Sequence, residues 1–171
     1  MKTAMSQLRW FINGDLPEML KIEHQGFQFP WSEENFVNAL SRKDVVCLVC
    51  DYPMPDGEIV VAGYMVYSMK PNSFDIYNMA IHADFRRKGI GAKFIGKLKS
   101  KLSPRRRSKI TAIVAETNLK ACKFFKSQKF VAIETMRGYF DETDWDAYKF
   151  EYALVERKKM EMKNRMGVII E

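Results

Sequence analysis

Apolar and polar positions along the chain change period several times, and each change marks an element. LRWFI (8–12) reads as a first strand. In the stretch that follows, NGDLPEMLKIEH, Asp15 is placed to cap a helix, Pro17 falls in its first turn and Glu18 stands three residues after the cap. Ser32 caps a second helix, SEENFVNAL, with Phe36, Val37 and Leu40 on one face. VVCLVCD (45–51) and EIVVAGYMVYS (58–68) predict two strands separated by the turn PMPDG, and SFDIYNMAI (73–81) predicts a third. From Ile90, apolar residues recur at Phe94, Ile95, Leu98 and Leu102 with helical spacing. KITAIVA (109–115) is again a strand and NLKACKFFKSQK a helix with Asn118 at its cap, while FVAIETMRGYF and DAYKFEYAL close the pattern as two strands. The order β-α-α-β-β-β-α-β-α-β-β favours parallel pairing in the middle, where helices separate strands, and antiparallel hairpins elsewhere. The predicted fold class is α/β, a single domain over residues 1–155 with a mixed central sheet of about seven strands and helices on both faces.

Composition narrows the function classes. A chain of 171 residues that is 47% hydrophobic buries a real core and excludes a disordered, tail-like protein. No apolar run approaches the roughly 18 residues of a membrane span. The N-terminal MKTAMSQLRW lacks the apolar segment of a signal peptide, so the expected location is the cytoplasm, and three cysteines agree with a reducing compartment. Cys47 and Cys50 invite a zinc reading, but side chains three apart on a strand point to opposite faces and cannot share an ion, so no metal site is expected.

The net charge of +7 biases the chain toward anionic partners. Pro104 and Ser108 bracket Arg105, Arg106 and Arg107 as a solvated turn. A further basic cluster, Arg157 to Arg165, belongs to a C-terminal extension (156–171) whose Met162, Met166, Ile169 and Ile170 predict a docking helix. No basic motif interleaved with aromatics marks a nucleic-acid surface, so direct nucleic-acid binding is not expected.

The cluster with chemistry in it is FRRKGIGAKF (85–94), where Arg86, Arg87 and Lys88 precede Gly89 and Gly91 at a strand-to-helix junction. Backbone N–H groups gathered at a helix N-terminus suit a phosphate or pyrophosphate, and the glycines let the backbone come close. The dinucleotide fingerprint would need a third glycine, and a Walker loop would need G-x-x-x-x-G-K-S/T. Neither is present.

Arg86 to Gly91 matches the R/Q-x-x-G-x-G/A motif of the GCN5-related N-acetyltransferase (GNAT) superfamily, and the element order is that superfamily's. FPWSEENF (29–36), NMAIHADFRRKGIG (78–91), ETNLKACKFFKSQKF (116–130) and RGYFDETDWDAY (137–148) resemble, within it, the ribosomal-protein-alanine N-acetyltransferases, the RimI-like branch. The resemblance spans roughly residues 6–155. It implies acetyl-CoA as co-substrate and an amine as acceptor, first of all the α-amino group of a protein N-terminus such as that of a ribosomal protein. It also implies that backbone groups of Met79, Ala80 and Ile81, on a strand end that splays from its neighbour, pair with the pantetheine arm and acetyl carbonyl. Arg86, Arg87, Lys88, Gly89, Ile90, Gly91 and Ala92 resemble the pyrophosphate cradle, and Asn118 the side chain that contacts the cofactor at the next helix start. Phe29, Pro30 and Trp31 correspond to one wall of the acceptor site, Tyr139 and Phe140 to the other. Trp31 also has a plain structural reading, as a staple packed on the core at a helix entry.

The catalytic pair departs from the family. Where relatives carry a Glu general base five residues ahead of the capping Asn, this chain has Ile113, and their Tyr general acid is replaced by Phe125. Asp75 and Tyr139 remain as candidates for proton transfer. Simple strand alternation sets Asp75 on one face with Tyr77, Met79 and Ile81, and puts Glu116 on the face opposite Ile113 unless a bulge intervenes. His82 reads as a loop histidine. An α-amine has a pKa of about 7.7–8.0 against about 10.4 for lysine, so attack without a strong base is tenable for an N-terminus and poor for lysine. Two other readings stand beside N-terminal acetylation: the same fold acting on a lysine, polyamine or small-molecule amine, and an acetyl-CoA-binding module that has lost its chemistry.

Overall fold

In the computed structural model, which describes residues 5–154, the predicted element order is present. The strands are β1 (Gln7–Trp10), β2 (Val45–Pro53), β3 (Ile59–Met69), β4 (Ser73–Ile81), β5 (Lys109–Ala115), β6 (Val131–Phe140) and β7 (Trp145–Ala153). The helices are α1 (Leu16–Gly26), α2 (Glu33–Leu40), α3 (Ile90–Lys99) and α4 (Leu119–Ser127). The expected C-terminal helix at 156–171 lies outside the described residues.

The strands form one sheet in the order β1-β2-β3-β4-β5-β7-β6. β4 and β5 are its parallel pair, and every other neighbour is antiparallel. The parallel expectation holds across α3 and fails across α4. There β7 inserts between β5 and β6, so α4 links strands that do not touch.

Two apolar layers flank the sheet. On one face Met19 and Ile22 of α1 and Phe36 of α2 pack with Cys47, Val49, Tyr64, Val66 and Ala80. On the other, Ile90, Phe94, Ile95 and Leu98 of α3, with Cys122 and Phe125 of α4, cover Cys50, Met65, Ile76, Ile110 and Phe150. Cys47 and Cys50 thus fall in opposite layers, as strand parity requires. Burial, the dominant effect, pushes the Cys47 thiol up to about 12.

Local capping follows the expectation at two helices and departs from it at one. Ser32 accepts from the Asn35 N–H at 3.2 Å, and Asn118 accepts from the Ala121 N–H at 3.1 Å. Asp15 stands at the start of α1, but its carboxylate turns away from the helix. It takes the Ile12 N–H at 2.8 Å and the Arg9 guanidinium at 2.8 and 2.9 Å. Burial alone would raise Asp15; the Arg9 bonds and the Ile12 N–H outweigh it and hold the carboxyl below its ordinary range. A cation from a neighbouring strand wins over the local cap because a bidentate guanidinium–carboxylate pair brings two charge-assisted bonds and a full opposite charge, where a cap offers a backbone N–H.

Candidate active site

The site begins where two parallel strands part. β4 pairs with β5 from Ser73 to Ile76, opposite Lys109 to Ala112, and no further. Beyond that point β4 stays on β3 as far as Ile81, and β5 stays on β7 as far as Ala115. The facing edges of 77–81 and 113–115 therefore lack ladder partners, and such groups call for an outside donor or acceptor. Because β4 and β5 run in parallel, both open at the same end of the sheet, where α3 and α4 begin. That is the crevice an α/β sheet offers to a ligand.

A bulge in β4 decides which side chains face it. Val66 pairs with Asn78 and Tyr67 with Ile76, which leaves Tyr77 as the extra residue. Phe74 and Ile76 lie in the layer beneath α3 and α4, and after the bulge so do Met79 and Ile81. Asp75, between Phe74 and Ile76, is consequently on the opposite face from Met79 and Ile81. This corrects the face assigned from simple alternation, which the extra residue reverses. Asp75 instead shares its face with Thr111 and Ile113, and its Oδ1 accepts from the Ser73 hydroxyl at 2.6 Å and the Thr111 hydroxyl at 2.9 Å.

The basic loop has the shape of an anion cradle. His82 accepts from the Asp84 N–H at 3.2 Å and caps a single 3-10 turn, Ala83–Phe85. Arg86 Nε donates to the Ile81 carbonyl at 3.1 Å, and the Lys88 ammonium lies 5.0 Å from the Tyr52 ring centroid and 5.4 Å from that of Phe85. Arg87 and Gly89 have φ of +64° and +79°. Gly89 is the N-cap of α3 and supplies no side-chain acceptor, so the N–H groups of Ile90, Gly91 and Ala92 remain as the unsatisfied donors of a helix start. A Cβ on Gly91 would stand 2.9 Å from the Phe124 ring, so glycine there lets α3 approach α4. Among the described residues none of the three cations of this loop is in an ion pair. Asn118 spends its carbonyl oxygen on the α4 cap and keeps its NH2 as a donor beside the crevice. Donors, cations and open strand edges together fit a pyrophosphate with an amide-bearing arm.

The aromatics expected to wall an acceptor site gather at the same end. β6 ends, and β7 starts, beside the C-terminal end of β5, with Phe140 paired to Trp145 and Ala115 to Ala147. Phe29, 52% exposed, meets Trp145 edge-on at 5.8 Å, so the α1–α2 loop touches the β6–β7 hairpin. Tyr139 is 43% exposed and stacks edge-on with Phe140 at 5.0 Å. Trp31 sits against Phe36 at 5.2 Å, within the layer under α1 and α2, so its structural reading holds.

The two positions expected from the resemblance to carry a base and an acid are apolar in different ways. Ile113 is 40% exposed and lies opposite Lys149 of β7. Phe125 is 5% exposed, with Phe124, Phe130 and Phe150 around its ring. Glu116 lies just past β5, where its carboxylate accepts from the Asp146 N–H at 3.3 Å. Tyr77, at the bulge, has its phenol raised by burial but lowered further by Ser68, Lys70 and Arg42, with a net downward shift. Sequence reasoning missed Trp145 and a buried polar group, Glu23 with Tyr64 and Asn78. Glu23 carried a signal, since its spacing from Met19 puts it on the buried face of α1. No group of three or more His, Cys, Asp or Glu side chains among the described residues has the arrangement of a metal site.

Fold and cleft define a GNAT acetyltransferase. Residues 16–130 match the acetyltransferase (GNAT) family, and the chain belongs to that family as an N-acetyltransferase. Over 130 residues it is 24% identical to the ribosomal protein bS18-alanine N-acetyltransferase of Escherichia coli K12, covering 76% of this chain and 84% of that protein. The crystal structure of the ribosomal-protein-S18-alanine N-acetyltransferase from Escherichia coli superposes with a TM-score of 0.72 at 21% identity, covering 87% of this chain and 94% of that one. Arabidopsis thaliana NAA60 in complex with acetyl-CoA gives 0.75 at 17% identity, covering 88% and 100%. At these identities the structural likeness speaks for the fold.

Proposed function

We propose that this acetyltransferase, with acetyl-CoA as donor, modifies the α-amino group of a protein N-terminus, a ribosomal protein being the first candidate. The observation that carries the reading is the apolar pair at the expected catalytic positions, Ile113 partly exposed and Phe125 packed in rings. A site without a carboxylate there favours an acceptor that supplies its own neutral amine. At pH 7.5 about a quarter of an α-amine with pKa about 8 is neutral, against about one in a thousand for lysine at about 10.4. The similarity to bS18-alanine N-acetyltransferases supports the same acceptor class.

Bound acetyl-CoA supplies an activated acetyl carbonyl. The chain's own contribution is placement. Arg86 to Ala92 and the α3 N–H groups hold the pyrophosphate, Asn118 offers its amide, and Met79, Ala80 and Ile81 present backbone groups to the arm and the carbonyl. An N–H aimed at that carbonyl favours the charge that develops on its oxygen. Phe29, Pro30, Tyr139, Phe140 and Trp145 border the acceptor entrance, and Trp31, packed on Phe36, anchors the loop that carries the first two. Proximity and such a donor accelerate transfer even where no side chain takes the proton. Asp75 is the carboxylate we assign to proton removal if one is used, because it shares a face with Ile113. Residues 5–154 contain no helix long and apolar enough to cross a membrane, and ribosomal acceptors would place the enzyme in the cytoplasm.

The same apolar pair favours a second reading, a module that binds acetyl-CoA and transfers slowly or not at all. Acetyl-CoA turnover against peptides varied at their first residues, with N-blocked lysine peptides as controls and mass spectrometry to locate the acetyl group, separates these readings. Free N-termini are expected to be modified faster. Exclusive modification of ε-amines would replace the N-terminal reading, and tight acetyl-CoA binding with no turnover would leave the module.

A further inference from the structure

Glu23, Tyr64 and Asn78 form a buried polar group that takes no part in the chemistry above. Glu23 is 1% exposed in the last full turn of α1. Its Oε1 accepts from the Trp31 N–H at 2.7 Å, both carboxylate oxygens lie 3.1 Å from Asn78 Nδ2, and the Tyr64 hydroxyl donates to Oε2. No cation within ion-pair distance compensates it among the described residues. Burial, then the neighbouring Glu23 charge, hold the Tyr64 phenol well above its ordinary value, so it stays a donor. A carboxylate removed from water without a counter-ion is costly, and packing alone would be served by an apolar residue of similar shape.

Its three partners belong to three elements, and two of them set the cleft. Trp31 lies in the α1–α2 loop that carries Phe29 and Pro30. Asn78 follows the bulge residue of β4, at the point where that strand leaves β5. Without the bulge, alternation would aim Asn78 into the apolar layer with Phe74 and Ile76. With it, Asn78 reaches Glu23, and Met79 and Ile81 turn to the α3 and α4 side. We propose that Glu23 is a positioning residue that sets both halves of the cleft at once: through Asn78 it holds the β4 bulge and hence the open strand edge, and through the Trp31 N–H it holds the acceptor loop. The acceptor half of this proposal rests on the reading of Phe29 to Trp31 as an acceptor wall.

The test pairs Glu23→Gln with the exchange Glu23→Gln/Asn78→Asp. In the exchanged pair the new amide oxygen accepts from Trp31 and its NH2 donates to the new carboxylate. Tyr64, whose hydroxyl already lies 3.4 Å from Asn78 Oδ1, donates to that carboxylate too. Glu23→Gln is expected to raise both the Kd for acetyl-CoA, measured by calorimetry, and KM for the best peptide substrate at least about fivefold, with a smaller fall in kcat; the exchange should recover most of both. Thermal unfolding is followed in parallel. A lower Tm with Kd and KM unchanged would show a merely structural role and overturn the proposal, as would an exchange no better than the single variant. Should Glu23→Gln not fold, Tyr64→Phe takes its place with a smaller rise expected in both constants, and a folded Tyr64→Phe with neither changed overturns it. The acetyl-CoA arm needs no acceptor, so absence of turnover with any N-terminal peptide would count against the proposed function while leaving the β4 half measurable.

Discussion

The donor side of this cleft is made of backbone and the transfer side of side chains, and the two keep different amounts of the family pattern. On the donor side the essentials are conformations: φ of +64° and +79° at Arg87 and Gly89, unpaired strand edges from Tyr77 and Ile113 onward, and a helix start with free N–H groups. On the transfer side the family resemblance calls for two titratable groups, and the positions expected to hold them carry Ile113 and Phe125. A fold, on the proposed reading, retains the means of holding an activated acyl group while the two positions expected to move protons are apolar. Whether what remains amounts to useful catalysis is then decided largely by the acceptor's own pKa.

The sharpest way to break the donor side is Gly89→Glu. No neighbour lies within 4 Å of a Cβ there, so the expected damage is not a clash. A non-glycine residue in the left-handed region costs about 1–2 kcal/mol. The new carboxylate would also compete with a pyrophosphate for the α3 N–H groups and repel it. Acetyl-CoA affinity measured by calorimetry is expected to fall at least about tenfold, or about 1.4 kcal/mol. Unchanged affinity in a folded variant would take the loop out of the site.

Next in size is the pH dependence of the wild type. With no enzyme-owned base, kcat/KM should rise to a single apparent pKa near that of the peptide's own amine, about 8, and move when the first residue is changed for one with a more acidic amine. Ile113→Glu should add an enzyme-owned pKa below that value. Partial exposure and Lys149 across the strand pair favour an ionised carboxylate at this position, so the rate at pH 7 should rise severalfold, short of the about 10²–10⁴-fold of a well-placed base. A profile that ignores the peptide and collapses on Asp75→Asn would transfer the base to Asp75.

The same division explains what was legible in the sequence. SFDIYNMAI and KITAIVA coincide with β4 and β5, and Ser32 and Asn118 cap as their local context demands, because those choices rest on a few neighbouring residues. The basic glycine loop was legible as a strand-to-helix turn for the same reason. Asp15 was misread because Arg9, on a neighbouring element, outbids the local cap. The side-chain faces of β4 were misread because a bulge at Tyr77 leaves no mark in a period-two count. Trp145 against Phe29, and Glu23 against Asn78, join residues far apart in sequence, and only the folded chain brings them together.

The smallest expected effect belongs to Phe125→Tyr, which puts a phenol where the resemblance expects an acid. A leaving thiolate needs a proton only if its departure limits the rate, and a thiol with an ordinary pKa of about 8.5 leaves readily near neutral pH. The surroundings add little incentive, because the Phe125 ring is bordered by Phe124, Phe130 and Phe150, and a hydroxyl without a partner there costs about 1–3 kcal/mol of stability. We expect kcat at pH 8, followed by thiol release, to change less than about threefold, while Tm falls. The same insensitivity should persist in the Ile113→Glu background if base and acid act separately. A gain of tenfold or more in the double variant, absent from either single one, would show that the pair works as a unit. The separation drawn between a retained donor side and a dispensable transfer side would then fail at Phe125, where the packed aromatic ring would stand in for a group the reaction needs.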